Sequence, residues 1–324
     1  MLIPLGCMVD GRILALGALA GDTMSAMGIL VFGLLVVTTL GILLGGERRT
    51  VVTGTTATDG YLAFLVGRDG DPDLLRHTLS RREAFLDRLA REPLRSRLRL
   101  DRDTFARNLA RQRPERGLDE RMLWLLATAR ANQAERFGVG LGELYGLTDP
   151  DDPLKLRIGL QEHYHTRLLA DVVGIFGLPV RMYPPAMLAR AVIWVFISIP
   201  ERWSQPLAGA AEMAGCVIFR MLRDRGIALF ADEPAVASRI RLLYEEILAD
   251  EIGHVGYIAS VLGPAGRSMM RRLFRLLGLR LARQLPELVA LYGRAALKRA
   301  FAAEFRLDAL AAELPGRAYT AATI

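Results

Sequence analysis

The sequence predicts an all-α protein whose centre is a four-helix bundle with one long crossover. Three observations carry this. The 324 residues are 52% hydrophobic but only 7% aromatic, and the strong helix formers Ala, Leu and Arg dominate. Strand-like runs of Val, Ile and Thr are scarce beyond the first 56 residues. After Leu118 the apolar positions recur at helical spacing, punctuated by Asp-Pro and Gly-Pro signals.

Residues 1–58 form an apolar N-terminal segment and linker. Thr23 to Gly46 is 24 residues without a charge, followed closely by Arg48 and Arg49. That length crosses a hydrocarbon layer of about 30 Å, so a transmembrane helix is expected over 24–46. A cleaved signal peptide, or an extension from an early start with Met24 or Met27 as later starts, fits the same residues. If the segment spans, the Arg pair orients the remainder of the chain to the cytoplasmic side of the membrane, and otherwise the chain is expected to be cytoplasmic. Residues 59–117 are charged and Arg-rich, broken by Pro72, Pro93 and Pro114, and read as a solvated helical arm. His77 stands there without a carboxylate at ligand spacing and reads as a surface histidine.

Residues 118–262 carry the bundle. One helix runs from Leu118 to about Tyr145 and a second from Pro153 to about Gly177. A third starts near Gln205-Pro206 and ends near Arg225-Gly226, and a fourth opens at Pro234 and reaches about Leu262. The crossover between the hairpins, roughly 25 residues with an apolar stretch at 187–199, is the ferritin-like way of connecting four helices.

Residues 263–324 hold ten Arg and one Lys against four acids, which accounts for the whole net charge of +7. Between Arg267 and Leu285 the pattern is a basic amphipathic helix. Arg267, Arg271, Arg272, Arg275 and Arg283 take one side, while Met270, Leu273, Phe274 and Leu277 lead the other. Such a helix lies on an anionic membrane surface or packs its apolar face on the bundle. No nucleic-acid-binding signature accompanies the charge, so no nucleic acid partner is expected. Cys7 and Cys216 imply no disulfide framework, and Cys216 reads as a small buried residue.

Two of the four histidines have a glutamate three positions earlier: Glu162–His165 and Glu251–His254. On a helix this spacing puts carboxylate and imidazole on one face, able to grip one ion. Each motif also has a lone glutamate at matching depth across its own hairpin. Taking the first turn near residue 149, Glu162 lies 13 residues after it and Glu135 lies 14 before. Taking the second near 231, Glu251 lies 20 residues after it and Glu212 lies 19 before. Glu143 and Glu201 fail this test. Glu212 sits in Leu207-Ala-Gly-Ala-Ala-Glu-Met-Ala-Gly-Cys, where a carboxylate without a partner is heavily penalised and a metal removes the penalty. Four carboxylates balance two divalent cations, and two neutral imidazoles complete the ligand set.

The order Glu135, Glu162-x-x-His165, Glu212, Glu251-x-x-His254 resembles the ferritin-like di-iron carboxylate superfamily, over about 45% of the chain. That superfamily includes rubrerythrin, ribonucleotide reductase small subunits, demethoxyubiquinone hydroxylase and amine N-oxygenases. The resemblance implies two Fe ions, or Fe/Mn or other divalent metals, held by the six residues. It implies an O2-activating oxidoreductase of oxygenase, hydroxylase or desaturase type, with a small organic substrate and an external electron donor. The apolar N-terminal segment and the basic amphipathic helix point to a lipophilic substrate. A ferroxidase or peroxide-scavenging protein shares the same ligands, and a non-catalytic membrane-associated helical protein remains the third reading. In many relatives an acidic residue before the motif glutamate orients the opposite histidine. Asp250 matches that role, and Gln161 is its neutral counterpart. His163 reads as a packing or surface residue, and Tyr244 as core packing.

Overall fold

Local chemistry at the helix ends explains where the long helices begin. The computed structural model describes residues 54–144, 151–180 and 201–320. The expected spans at 24–46 and 187–199 lie outside the described residues. Four long helices dominate: α4 (Glu120–Leu144), α5 (Pro153–Gly174), α6 (Glu201–Leu229) and α7 (Pro234–Val261). Asp119 Oδ1 accepts from Met122 N at 2.8 Å and so caps α4. Asp152 caps α5, accepting from Leu154 N and Lys155 N at 3.1 Å each, with Pro153 at the first helical position. Pro234 opens α7 in the same way. The preceding Glu233 spends its carboxylate elsewhere, accepting from Ser96 Oγ and Arg97 N at 2.7 Å each. Helix α6 begins earlier than its proline suggests. Pro206 lies inside its second turn, where the missing N–H removes a single ladder bond.

Three helices precede these, α1 (Gly54–Asp69), α2 (Ser80–Arg91) and α3 (Arg102–Ala110). Between α1 and α2, β1 (Pro72–Asp73) and β2 (Thr78–Leu79) form an antiparallel pair with Pro72 opposite Leu79. His77, exposed and with φ of 52°, sits in the turn between them. Four helices come after: α8 (Pro264–Gln284), α9 (Pro286–Tyr292), α10 (Arg294–Ala302) and α11 (Leu307–Ala312). Among the described residues the regular structure is therefore helical apart from one two-residue ladder, as an all-α reading requires.

Consecutive long helices pack on each other, α4 on α5 and α6 on α7, and α5 also packs on α7 and α4 on α6. Along α6, Gly226, Gly215 and Gly209 lie against Ile240, Glu251 and Ile258 of α7 in turn, so the two run antiparallel. The core closes on Trp124, whose Nε1 donates to Leu222 O at 2.8 Å. Its ring meets Phe230 at 5.4 Å, Tyr244 at 6.2 Å and Phe176 at 6.4 Å. Tyr244 bonds Thr128 Oγ1 at 2.8 Å within this packing. Cys216 is fully buried.

Two expectations need correction. Residues 54–58 are not linker but the first turns of α1. The charged stretch 59–117 is not a solvated arm. Tyr61 and Leu65 of α1 pack with Leu154 of α5, and Leu79 packs with Leu156, Leu160 and Tyr164. Phe105 and Leu109 of α3 join the main core. Its average polarity hid a few fully buried apolar residues, and several of its charges are buried because they are paired.

Helix α8 packs on α6. Met270 and Phe274 are buried, while Arg271, Arg272 and Arg275 stay exposed. Phe274 meets Phe301 of α10 at 5.9 Å. Arg130 of α4 donates to the buried Glu287 of α9 at 2.8 Å, fastening that end of the chain. Within the described residues no helix is long and apolar enough to cross a membrane.

At Gly226 a Cβ would lie 2.4 Å from the Trp124 ring and 3.0 Å from Ile240 Cγ2. Gly226→Ala is therefore expected to destabilise the chain by about 1–3 kcal/mol through overpacking. Denaturant unfolding checks this, and an unchanged midpoint would contradict the close approach of α6 to Trp124.

Candidate metal centre

Each of the four long helices sends one or two polar side chains to a common point. Glu135 comes from α4, Glu162 and His165 from α5, Glu212 from α6, and Glu251 and His254 from α7. Their ligand atoms form two overlapping groups. Glu135, Glu162, His165 and Glu251 bring one atom each within 4.8 Å of one another, and so do Glu162, Glu212, Glu251 and His254. Glu162 and Glu251 belong to both. All six residues chosen from the sequence therefore meet, and His163 belongs to neither group.

The imidazoles face the same way. His165 Nδ1 lies 3.3 Å from Glu251 Oε1 and 3.4 Å from Glu135 Oε2 and Glu162 Oε2. His254 Nδ1 lies 3.4 Å from Glu162 Oε1 and 3.5 Å from Glu212 Oε2. It is buried without a hydrogen-bond partner, which is unusual for a ring nitrogen in a native interior. The ring centroids stand 6.2 Å apart. Close approach of α6 to α7 depends on Gly215, where a Cβ would lie 2.9 Å from Glu251 Oε2.

The outer nitrogens are held from behind. His165 Nε2 donates to Asp250 Oδ2 at 3.2 Å, and His254 Nε2 donates to Gln161 Oε1 at 2.9 Å. Each outer residue thus serves the histidine of the opposite motif. Asp250 is itself gripped by two guanidinium groups, Arg82 Nη2 at 2.6 Å and Arg68 Nη2. Gln161 Nε2 donates to Asp69 Oδ2 at 2.7 Å, and Asp69 Oδ1 accepts from Arg68 Nε and Arg82 Nε at 2.9 Å each. Arg82 Nη1 reaches Glu246 Oε2 at 3.0 Å.

Sequence reasoning missed this outer layer of Arg68, Asp69 and Arg82. One signal was present: Tyr61, Leu65 and Asp69 recur every four residues on one face of α1, and all three are fully buried.

Burial and like charge act on the ligands together. Burial pushes the Glu135 carboxyl up to about 7, against the pull of the His165 imidazole. Burial and then the Glu212 charge push Glu251 well above the usual carboxylate range. For Glu162 burial acts in the same direction, but the facing imidazoles outweigh it and hold this carboxyl low. Burial lowers both histidines. The Glu162 charge and the Asp250 hydrogen bond outweigh it at His165, and Glu212 outweighs it at His254, so both end raised. Asp250 stays well below the usual range because Arg68 and Arg82 overcome its burial.

The donor set fits two divalent cations. Four carboxylates match a charge of +4, both Nδ1 atoms point inward, and both outer nitrogens are fixed. Imidazole with carboxylate suits iron, manganese or zinc better than magnesium or calcium. The exposure is graded. Glu135, Glu162 and Glu212 side chains are 18%, 25% and 26% exposed, against 0%, 4% and 3% for His165, Glu251 and His254.

These shifts make stability depend on pH. Glu135, Glu251, His165 and His254 all hold protons in the folded chain that the unfolded chain has released. Their contribution to stability is present at low pH and is lost as pH rises through the folded values, for Glu135 between about 4.5 and 7. Glu162 and Asp250 act oppositely, but only in acid. A cation displaces the same protons, so metal affinity should rise with pH. Thermal unfolding with and without Mn(II) should therefore show a metal-induced rise in Tm that is larger at about pH 8 than at about pH 6. A pH-independent rise would contradict the assignment. No protein-family model, curated protein or solved structure matches the chain, and the six side chains stand on their geometry.

Proposed function

We propose that the chain is a ferritin-like di-iron carboxylate protein, with α4 to α7 as its four-helix bundle, that activates O2 to oxidise an organic substrate. The observation carrying this reading is the pair of overlapping ligand groups that share Glu162 and Glu251. Glu162 and Glu251, common to both groups, would serve two ions at once, an arrangement that a single-ion site does not need. Glu135 and His165 would complete one ion's shell, and Glu212 and His254 the other's. Bound iron would supply the electrons that reduce O2. The residues supply the rest: Asp250 and Gln161 hold the imidazoles in orientation, and the partly exposed Glu135, Glu162 and Glu212 would offer carboxylate oxygens from the solvent side. An organic molecule would approach from the side of Glu212, where the neighbouring Ala211 is small and exposed.

Anaerobic Fe(II) loading tests the metal reading. About two irons per chain are expected, falling to fewer than one in a Glu162→Ala/Glu251→Ala variant, because each substitution removes a ligand from both ions. Wild-type binding of none, or equal binding by the variant, would sink it. O2 uptake with an added reductant, followed by mass analysis of candidate substrates for added oxygen, then separates organic oxidation from iron or peroxide turnover alone.

We also propose that the outer face of α8 and α10 docks on an anionic membrane. About half of the described arginines elsewhere meet carboxylates, for example Arg82, Arg121, Arg130 and Arg223. Arg271, Arg272, Arg275, Arg294, Lys298 and Arg299 are exposed, and none has an ion pair among the described residues. Leu276, 66% exposed, stands among them. The aromatic rings of this region, Phe274 and Phe301, are buried and unavailable for stacking on bases. Charges near an anionic surface contribute about 1 kcal/mol each. Co-sedimentation with phosphatidylcholine vesicles containing phosphatidylglycerol should therefore drop at least ~100-fold on Arg271→Glu/Arg272→Glu/Arg275→Glu. Equal binding to pure phosphatidylcholine would rule the surface out.

A further inference from the structure

Asp69 lies on α1, outside the four long helices, yet it is fully buried and its carboxylate is the end of a directed chain of hydrogen bonds. A carboxylate between Arg68 and Arg82 only accepts, so the atom of Gln161 that faces it at 2.7 Å has to be the amide nitrogen. The Gln161 carbonyl oxygen is then turned to His254 Nε2, 2.9 Å away. An amide oxygen only accepts, so a neutral His254 carries its proton on Nε2. Its Nδ1 is left with a lone pair, and this is the buried nitrogen that faces Glu162 and Glu212 without a hydrogen-bond partner.

The two histidines differ in this respect. His165 is backed directly by Asp250, a carboxylate that cannot turn round to present a donor. His254 is backed by an amide, which can. What prevents the amide from turning is Asp69.

We propose that Asp69 is a positioning residue of the metal centre: through Gln161 it holds His254 in the Nε2–H tautomer and so keeps Nδ1 available to a cation. This rests on the di-metal reading of the six ligands. It makes α1 part of the centre and makes the His254 half the conditional one, while the His165 half is fixed without it.

The isosteric change Asp69→Asn reverses the chain. Asp69 Oδ1 accepts from two guanidinium groups, through Arg68 Nε and Arg82 Nε, and Oδ2 from one, through Arg68 Nη2 at 3.1 Å, so in the variant the side-chain oxygen stays at the doubly bonded position and the introduced amide nitrogen faces Gln161. Gln161 then turns its oxygen to that nitrogen and its own nitrogen to His254 Nε2, and the imidazole proton moves to Nδ1. Adding Gln161→Glu restores an acceptor both for the introduced amide and for His254 Nε2–H.

The full-length chain is titrated with Co(II) alone, following ligand-field absorption. Wild type is expected to bind two ions, and Asp69→Asn to weaken one of them by ~10–100-fold, the range for losing an outer partner of a metal-bound histidine. Asp69→Asn/Gln161→Glu should regain most of that affinity, which a merely destabilised fold would not. In parallel, 15N NMR of the metal-free chain, at a pH high enough to leave His254 neutral, reads its tautomer: Nε2–H in wild type and in the double variant, Nδ1–H in Asp69→Asn. An unchanged tautomer in Asp69→Asn, or a double variant as weak as the single one, overturns the inference. Failure of wild type to bind Co(II) would count against the di-metal reading, while the tautomer measurement would still decide the role of Asp69.

Discussion

Four carboxylates gathered in a largely buried place, in two overlapping groups whose ligand atoms lie within 4.8 Å, are the constraint around which the rest of the chain is arranged. At an effective dielectric of about 20, each pair of unit charges at that distance repels by about 3–4 kcal/mol. Such a cluster is sustainable only with counter-charge or bound protons. The chain prepares for both: raised carboxyls at Glu135 and Glu251 take protons, and two inward imidazole nitrogens complete a cage for cations. The antiparallel run of α6 against α7, the small residue at Gly215 and the matched depths in each hairpin all bring the six side chains to one level.

The legible parts of the molecule were those specified locally. Asp119, Asp152-Pro153, Pro234 and Gly263-Pro264 mark helix ends through bonds within a few residues, so the four long helices lie close to their expected limits. The site was legible for the same reason. Spacing of three within a helix and equal depth across a hairpin are properties of chain geometry alone. Even the crossed pattern, with Asp250 behind His165 and Gln161 behind His254, arises from residues next to the motif glutamates.

The hidden parts were specified over long distances. Arg82 and Asp250 are 168 positions apart and meet at 2.6 Å. Nothing in the surroundings of Arg82, in Ser80-Arg-Arg-Glu-Ala, distinguishes it from the exposed Arg81 beside it. Polarity averaged over 59–117 suggested solvent, but the burial of a charge depends on where its partner is, not on its neighbours in sequence. The C-terminal helices illustrate the converse. Their amphipathic pattern allowed either membrane or protein beneath the apolar side, and Met270 and Phe274 pack on protein, which leaves the basic side, with Leu276, facing outward.

The graded exposure of the six ligands has a consequence for how a cation would be taken up. With the described residues as the wall, water reaches Glu135, Glu162 and Glu212, while the imidazoles and Glu251 lie in the dry interior. A hydrated ion arriving from solvent would exchange its first waters for carboxylate oxygens, the ligands that most resemble water in hardness. Nitrogen donors would come last, when the ion is already partly stripped. Dehydration is thereby divided into small steps along a gradient from wet oxygen to dry nitrogen. Loading speed would thus depend on the three outer glutamates, while final affinity depends on all six ligands.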